Sequence, residues 1–365
     1  MNRRNWLLQS AGLAVLATAF PSLVRRVHGQ QASDPPRPPD FKTRGVVLLP
    51  SDLVDVDWPQ IAHTAGLSTI GVHGGPAAVA EFMNGERGAR FLERCRKLNL
   101  HVEFELHAIR DLLPRALFEK HPDMFRMDEN GDRVPDANCC PASRDGIAVI
   151  CENAVKYAQL LRPTTSRYFY WPDDVAPFCK CPQCRGFSDS EQAVIVENAM
   201  LAALRKFDPE AIMSHLAYVG TLPAPRQLQP DPGLFLEFAP IERSWLHPLD
   251  LKSIVGRTGA GRRPASHGQT LDLLDGNLDV FRRDTAQVLE YWLDASLHSN
   301  WKRPAVQVPW KADVLESDLK TYAQRGIRHI TSFAAWIDED YVQRFGAPDF
   351  VSEYGAAMRE FRLQR

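Results

Sequence analysis

Short apolar runs alternate with longer stretches in which apolar residues return every three or four positions, and this alternation continues from Gly45 to Phe333. The runs Gly45 to Leu49, Leu67 to Val72, His101 to Ala108, Tyr168 to Trp171, Ile212 to Tyr218, Leu234 to Phe238, Leu293 to Leu297 and Ile327 to Phe333 read as strands. Between them, Asp57 caps a short helix that stops at Gly66, and Phe91, Leu92, Cys95 and Leu98 mark another. Further helices are predicted over Ile147 to Leu161, after the capping box of Ser188 and Glu191, over Leu278 to Tyr291, and over Asp313 to Arg325 before Gly326. Arg257 to Asn277 reads as a long loop where a helix is missing. Eight strands separated by helices predict an α/β protein, a (β/α)8 TIM barrel in one large domain.

Composition narrows the partners. Of 365 residues 44% are apolar, enough for a large core, and 43 Lys and Arg stand against 45 Asp and Glu. No bulk field attracts nucleic acid. No Gly-x-Gly-x-x-Gly or Walker sequence opens a helix, so no organic cofactor is expected.

The first segment reads as an address. Arg3-Arg4 precede a weakly apolar run from Ala11 to Val24, too short and polar to span a membrane comfortably. Residues 1–29 are expected to be a twin-arginine export signal, which implies the twin-arginine translocation machinery as a partner and a periplasmic or extracellular location. The Pro-rich residues 30–40 read as a linker, and residues 41–365 as the barrel.

In a parallel barrel the outward face is apolar, so alternating charges point into the lumen. This directs Glu103, Glu105 and His107 inward. Trp171-Pro172-Asp173-Asp174 ends a strand on two carboxylates at the rim where barrel enzymes keep their sites, and an acid there can protonate a leaving oxygen. Glu237, the one charge in an apolar strand, is with Glu105 a candidate second carboxylate. Arg243 and His247 are candidates for holding a sugar carboxylate, and Trp171, Trp245 and Trp336 for a stacking platform. Asp294 and Asp338 are expected as supporting groups.

Cys179-Lys180-Cys181-Pro182-Gln183-Cys184-Arg185-Gly186 packs three thiols into six positions, a turn suited to metal-bound thiolates. Cys139 or Cys140 could complete a structural zinc site; disulfides and free thiols are the alternatives. Absence of His-x-His or His-Glu-x-x-His spacing argues against a catalytic metal.

His121-Pro122-Asp123-Met124-Phe125, the Asn130-Gly131 turn, Trp171-Pro172-Asp173-Asp174 with its Cys-x-Cys-x-x-Cys, and Ala239-Pro240-Ile241-Glu242-Arg243-Ser244-Trp245 resemble a bacterial domain-of-unknown-function family. That family is similar to the α-glucuronidase and β-N-acetylhexosaminidase barrels, and the resemblance covers Phe118 to His247. In hexosaminidases an Asp-Glu pair ends the fourth strand, Glu as general acid and Asp as orienter of the acetamido group. The resemblance therefore implies Asp174 as acid, Asp173 as orienter, and an oligosaccharide or glycan substrate with uronic acid or N-acetylhexosamine units. A non-catalytic carbohydrate-binding barrel is the alternative.

Overall fold

The computed structural model describes residues 40–256 and 266–363. The expected signal, and the linker up to residue 39, lie outside the described residues. Eight parallel strands close into a barrel in chain order: β1 (Thr43–Leu48), β2 (Thr69–Gly74), β3 (His101–His107), β4 (Arg167–Trp171), β5 (Ile212–Ala217), β6 (Leu234–Phe238), β7 (Gln287–Glu290) and β8 (His329–Phe333). The helices are α1 (Trp58–Ala65), α2 (Pro76–Asn84), α3 (Glu86–Lys97), α4 (Ile109–Leu112), α5 (Arg144–Leu160), α6 (Asp189–Phe207), α7 (His267–Leu278), α8 (Ala295–His298), α9 (Ala312–Gln324), α10 (Glu339–Phe345) and α11 (Phe350–Glu360). This is the (β/α)8 barrel that the alternation predicts. No helix of the described residues is long and apolar enough to cross a membrane.

Local signals act where they are written. Asp57 accepts from the Gln60 amide at the start of α1, Gly66 takes φ +76 at its end, and Ser188 and Glu191 cap α6 reciprocally. On β4 the two-residue period sends Tyr168 and Tyr170 outward, their hydroxyls donating to Asp208 and to the Ala154 carbonyl of α5. Arg167, Phe169 and Trp171 then turn into the lumen, where Arg167 lies 4.0 Å over the Phe235 ring.

One stretch differs from expectation. Leu278 to Tyr291 is not a helix and Leu293 to Leu297 is not a strand. Instead α7 runs from His267 to Leu278, opened by a capping box of Ser266 and Gln269, and β7 follows as the four residues Gln-Val-Leu-Glu. Gly276 inside the helix and two polar residues in a four-residue strand blur the period on which the reading relied. The expected long loop is thus partly α7; its residues 257–265 lie outside the described residues.

Candidate active site at the barrel rim

Beneath the rim the lumen is polar and sealed. Arg167 Nη2 donates to Gln287 Oε1 (2.8 Å), Gln287 Nε2 to Glu237 Oε1 (3.0 Å), and Trp171 Nε1 to Glu237 Oε2 (2.9 Å) and Ser214 Oγ (3.0 Å). Arg167 Nε is 3.3 Å from Glu103, which also accepts from Thr165 Oγ1 at 2.7 Å. Glu105 is fully buried and neither of its oxygens has a hydrogen-bond partner among the described residues. Gly71 makes its space, since a Cβ at that position would lie 2.7 Å from Glu105 Oε1.

Three glutamates thus share one guanidinium. Desolvation raises the Glu105 carboxyl well above its ordinary range, with repulsion from Glu237 and Glu103 adding to it. Desolvation raises Glu237 to about 8, outweighing the hydrogen bonds from Ser214 and Trp171. Neither glutamate is among the residues that line the cavity above; Trp171 is, and its N–H donates to Glu237. The expectation that Glu105 or Glu237 acts as the second carboxylate is therefore corrected by position.

The cavity has a volume of about 580 Å³ and opens at the C-terminal ends of the strands. Its walls are aromatic: Trp171, Tyr218, Trp245, Tyr291, Trp301, Phe333 and Trp336. Its acids are Asp174, Glu242 and Asp294, and no Lys or Arg is among the described residues that line it.

Two histidines stand beside the Trp171 floor. His107 Nδ1 is 2.5 Å from the Pro172 carbonyl oxygen, which can only accept, so that nitrogen carries the proton. His107 Nε2 is left facing Asp174 Oδ1 at 3.6 Å. His73 Nδ1 likewise donates to the Glu105 carbonyl oxygen at 2.8 Å. Burial, with His107 close by, lowers His73 to about 3, so its ring is neutral and its Nε2 is a lone-pair acceptor.

The two aspartates at the end of β4 part company. Asp174 is 59% exposed and lines the cavity, whereas the Asp173 side chain is 10% exposed and lies outside the lining. Asp173 accepts from the Arg110 amide (2.8 Å) and the Asn138 amide (2.7 Å), while its own N–H donates to Asn138 Oδ1 (2.9 Å). Both carboxylate oxygens accept from the turn and the side chain lies outside the cavity lining, a placement that differs from the orienting role expected of Asp173.

Arg243 is also displaced from its expected role. It is fully buried, with Nη1 2.7 Å from Glu290 and 2.6 Å from Asp318, and Nη2 donating to the His247 carbonyl. Glu290 points outward from β7 and also accepts from Tyr322, so this is an ion cluster behind the barrel wall. The cluster anchors the loop that carries Trp245, which packs edge-on to His298 at the cavity wall. His247 is exposed, meets Ser244 Oγ, and is not in the lining. Trp336 lines the cavity at φ +66, its amide donating to Asp52 and its ring covered by Arg303 at 4.4 Å. Asp294 caps α8 through Ser296 and Leu297 and lines the cavity.

Sequence reading did not single out His73, Tyr218, Glu242, Tyr291, Trp301 or Phe333. For His73 a signal existed. Carrying the second strand two residues further puts His73 on the lumen face with Gly71, at the rim end.

Residues 79–256 match a family described as "Domain of unknown function (DUF4838)". No curated protein matches the chain. Among solved structures the chain is similar to a glycoside hydrolase family 20 β-N-acetylglucosaminidase, at 10% identity over 87% of this chain and 69% of that one, TM-score 0.48. It is also similar to a tri-modular GH5 subfamily 4 endo-β-1,4-glucanase from Bacillus licheniformis complexed with cellotetraose, at 9% identity and TM-score 0.49. That match covers 86% of this chain but 59% of the glucanase. A xylose isomerase domain protein from Planctomyces limnophilus gives 12% identity over 87% of this chain and 98% of that one, TM-score 0.42.

Proposed function

We propose that the barrel binds a neutral oligosaccharide at its C-terminal rim and hydrolyses a glycosidic bond there. The observation that carries this reading is the aromatic-walled cavity with the His107–Asp174 pair at its edge. Indole and phenol rings stack on the apolar faces of pyranose rings, and a cavity of this size suits a small ligand. Asp174 gives its proton to the leaving oxygen, the second carboxylate takes one from the attacking water, and His107 Nε2, which carries no proton of its own, relays a proton from solvent back to Asp174. Glu242, on the loop after β6, takes the place of second carboxylate. A neutral sugar is favoured over a uronic acid because the lining offers three acids and no cation among its described residues.

A second reading has its own observation. Asp173 is spent on backbone amides, and Glu105 and Glu237 lie below the floor, as suits a barrel that binds glycans without cleaving them. Release of reducing ends from a panel of neutral oligosaccharides, with calorimetry on the same ligands, separates the two. Wild-type turnover that Asp174→Asn cuts by roughly a hundredfold supports the hydrolase; wild-type binding without turnover replaces it with the binder.

Export through the twin-arginine machinery to the periplasm or exterior belongs to the same proposal, on the support of Arg3-Arg4 and the weakly apolar run that follows. Replacing both arginines by lysine should leave precursor inside the cell. An unchanged exported yield would sink it.

A further inference from the structure

Away from the cavity, Cys140, Cys179, Cys181 and Cys184 are all buried and their sulfurs lie within 4.8 Å of one another. We infer that these four thiols bind one structural zinc ion, and that Cys139 takes no part.

The geometry is that of sulfurs sharing an ion. Cys140 Sγ is 3.8 Å from Cys181 Sγ and 3.9 Å from Cys184 Sγ. Four sulfurs at a Zn–S distance of about 2.3 Å stand about 3.8 Å apart at the corners of a tetrahedron. A disulfide would instead bring two of them to about 2.05 Å. The four cysteines form a cluster of their own, apart from the barrel core, and among the described residues the partly buried apolar side chain packed against it is Met127. So small a group of thiols has little to gain from apolar packing.

Hydrogen-bond donors reach the sulfurs. The Met127 amide donates to Cys179 Sγ at 3.3 Å, and amides of Cys181 and Ala142 reach Cys179 and Cys140. Arg133 Nη1 stands 3.9 Å from Cys179 Sγ, where it offsets part of the double negative charge of a zinc tetrathiolate. Cys181 to Cys184 form a tight turn in which the Cys181 carbonyl accepts from Cys184 and Arg185, both at 2.9 Å. The buried Gln192 fixes that loop by accepting from the Cys179 amide and donating to the Cys179 carbonyl. Binding releases the proton of each thiol and changes no oxidation state.

Cys139 is excluded by direction. It packs into the main core beside Ile109 and Tyr170, while its neighbour Cys140 belongs to the separate sulfur cluster. The ion would clamp the segment around residues 127–140 to the loop after β4. Asn138, which holds the Asp173 turn, lies two residues from the ligand Cys140.

The test uses the full chain purified without chelator. Elemental analysis should find about one zinc per chain, retained in Cys139→Ser and lost in Cys140→Ser. If Cys140→Ser does not fold, titrating native wild type with a mercurial should release zinc into a chromogenic chelator as four thiols react. Cobalt exchanged into the wild type should show the intense ligand-field bands of a tetrahedral tetrathiolate. Less than about a tenth of a zinc per chain, iron in its place, or digest peptides joined through these cysteines would each overturn the site. Zinc lost from Cys139→Ser would overturn the ligand set.

Discussion

His107 donates an Nδ1–H hydrogen bond to the Pro172 carbonyl and so turns Nε2 toward Asp174, 3.6 Å away. The residue between Pro172 and Asp174 in the chain is Asp173, which is bound to the amides of Arg110 and Asn138. One dipeptide therefore carries an acid that faces the cavity and an acid that holds the turn.

Asp174→Asn should keep the fold and oligosaccharide binding but cut turnover of unactivated glycosides by roughly a hundredfold, the usual worth of general acid catalysis. A nitrophenyl glycoside, whose leaving group needs little protonation, should lose much less. Asp173→Asn should slow both substrates equally and cost about 1–3 kcal/mol of stability, because an amide side chain cannot accept both backbone N–H groups. Equal losses on both substrates for Asp174→Asn would remove it as the acid. Parallel rate and melting measurements decide.

The sealed lumen predicts a pH dependence of stability. An acid whose folded pKa is raised stabilises the fold fully below its unfolded value, and that stability is lost as pH rises toward the folded value, which for Glu237 is about 8. Glu105 is raised by the same desolvation and has no hydrogen bonds to lose. Glu105→Gln should therefore gain stability over wild type as pH goes from 6.5 to 8.5, by at most about 1.4 kcal/mol per pH unit per proton. His73, lowered to about 3, loses its contribution only as pH falls through its unfolded range, so this upper window is chosen to avoid it. Urea titrations at several pH values that gave parallel curves for the two proteins would refute the shared-charge account.

Trp301 is 59% exposed yet lines the cavity, so it can be removed with little damage to the core. Trp301→Ala should weaken binding of a neutral oligosaccharide by about 1 kcal/mol, near fivefold, at an unchanged melting temperature. Calorimetry showing wild-type affinity would take Trp301 out of the sugar platform.

Arg243 should behave as a structural residue. Arg243→Ala leaves Glu290 and Asp318 buried without their cation, which should cost about 3–5 kcal/mol. If it met a substrate carboxylate, the loss would appear in KM for acidic sugars with stability intact. Denaturation and kinetics on one preparation separate the two.

Legibility in the sequence followed burial. Strand Tyr168 to Trp171 and the box of Ser188 and Glu191 could be read directly, because a buried strand and a capping pair state their reasons locally. Gln287–Glu290 could not: its Gln and Glu are satisfied by Arg167 and Arg243, partners more than forty residues away, and locally they read as helix. Arg243 looked like a ligand for the same reason, since nothing near it in sequence announces Glu290 and Asp318. Asp173 and Asp174 are indistinguishable as letters. Their separation depends on Asn138, thirty-five residues earlier.

That dependence divides authorship of the rim. The barrel supplies the floor through Trp171 and His73, but the bearing of the Asp173-Asp174 turn is dictated by the long insertion between β3 and β4, through Asn138 and the Arg110 amide. Grafting the β4 loop onto another eight-stranded scaffold would transplant the acid without its compass. Variation among related chains in residues 110–140 would in turn re-aim Asp174 without touching any residue of the cavity wall.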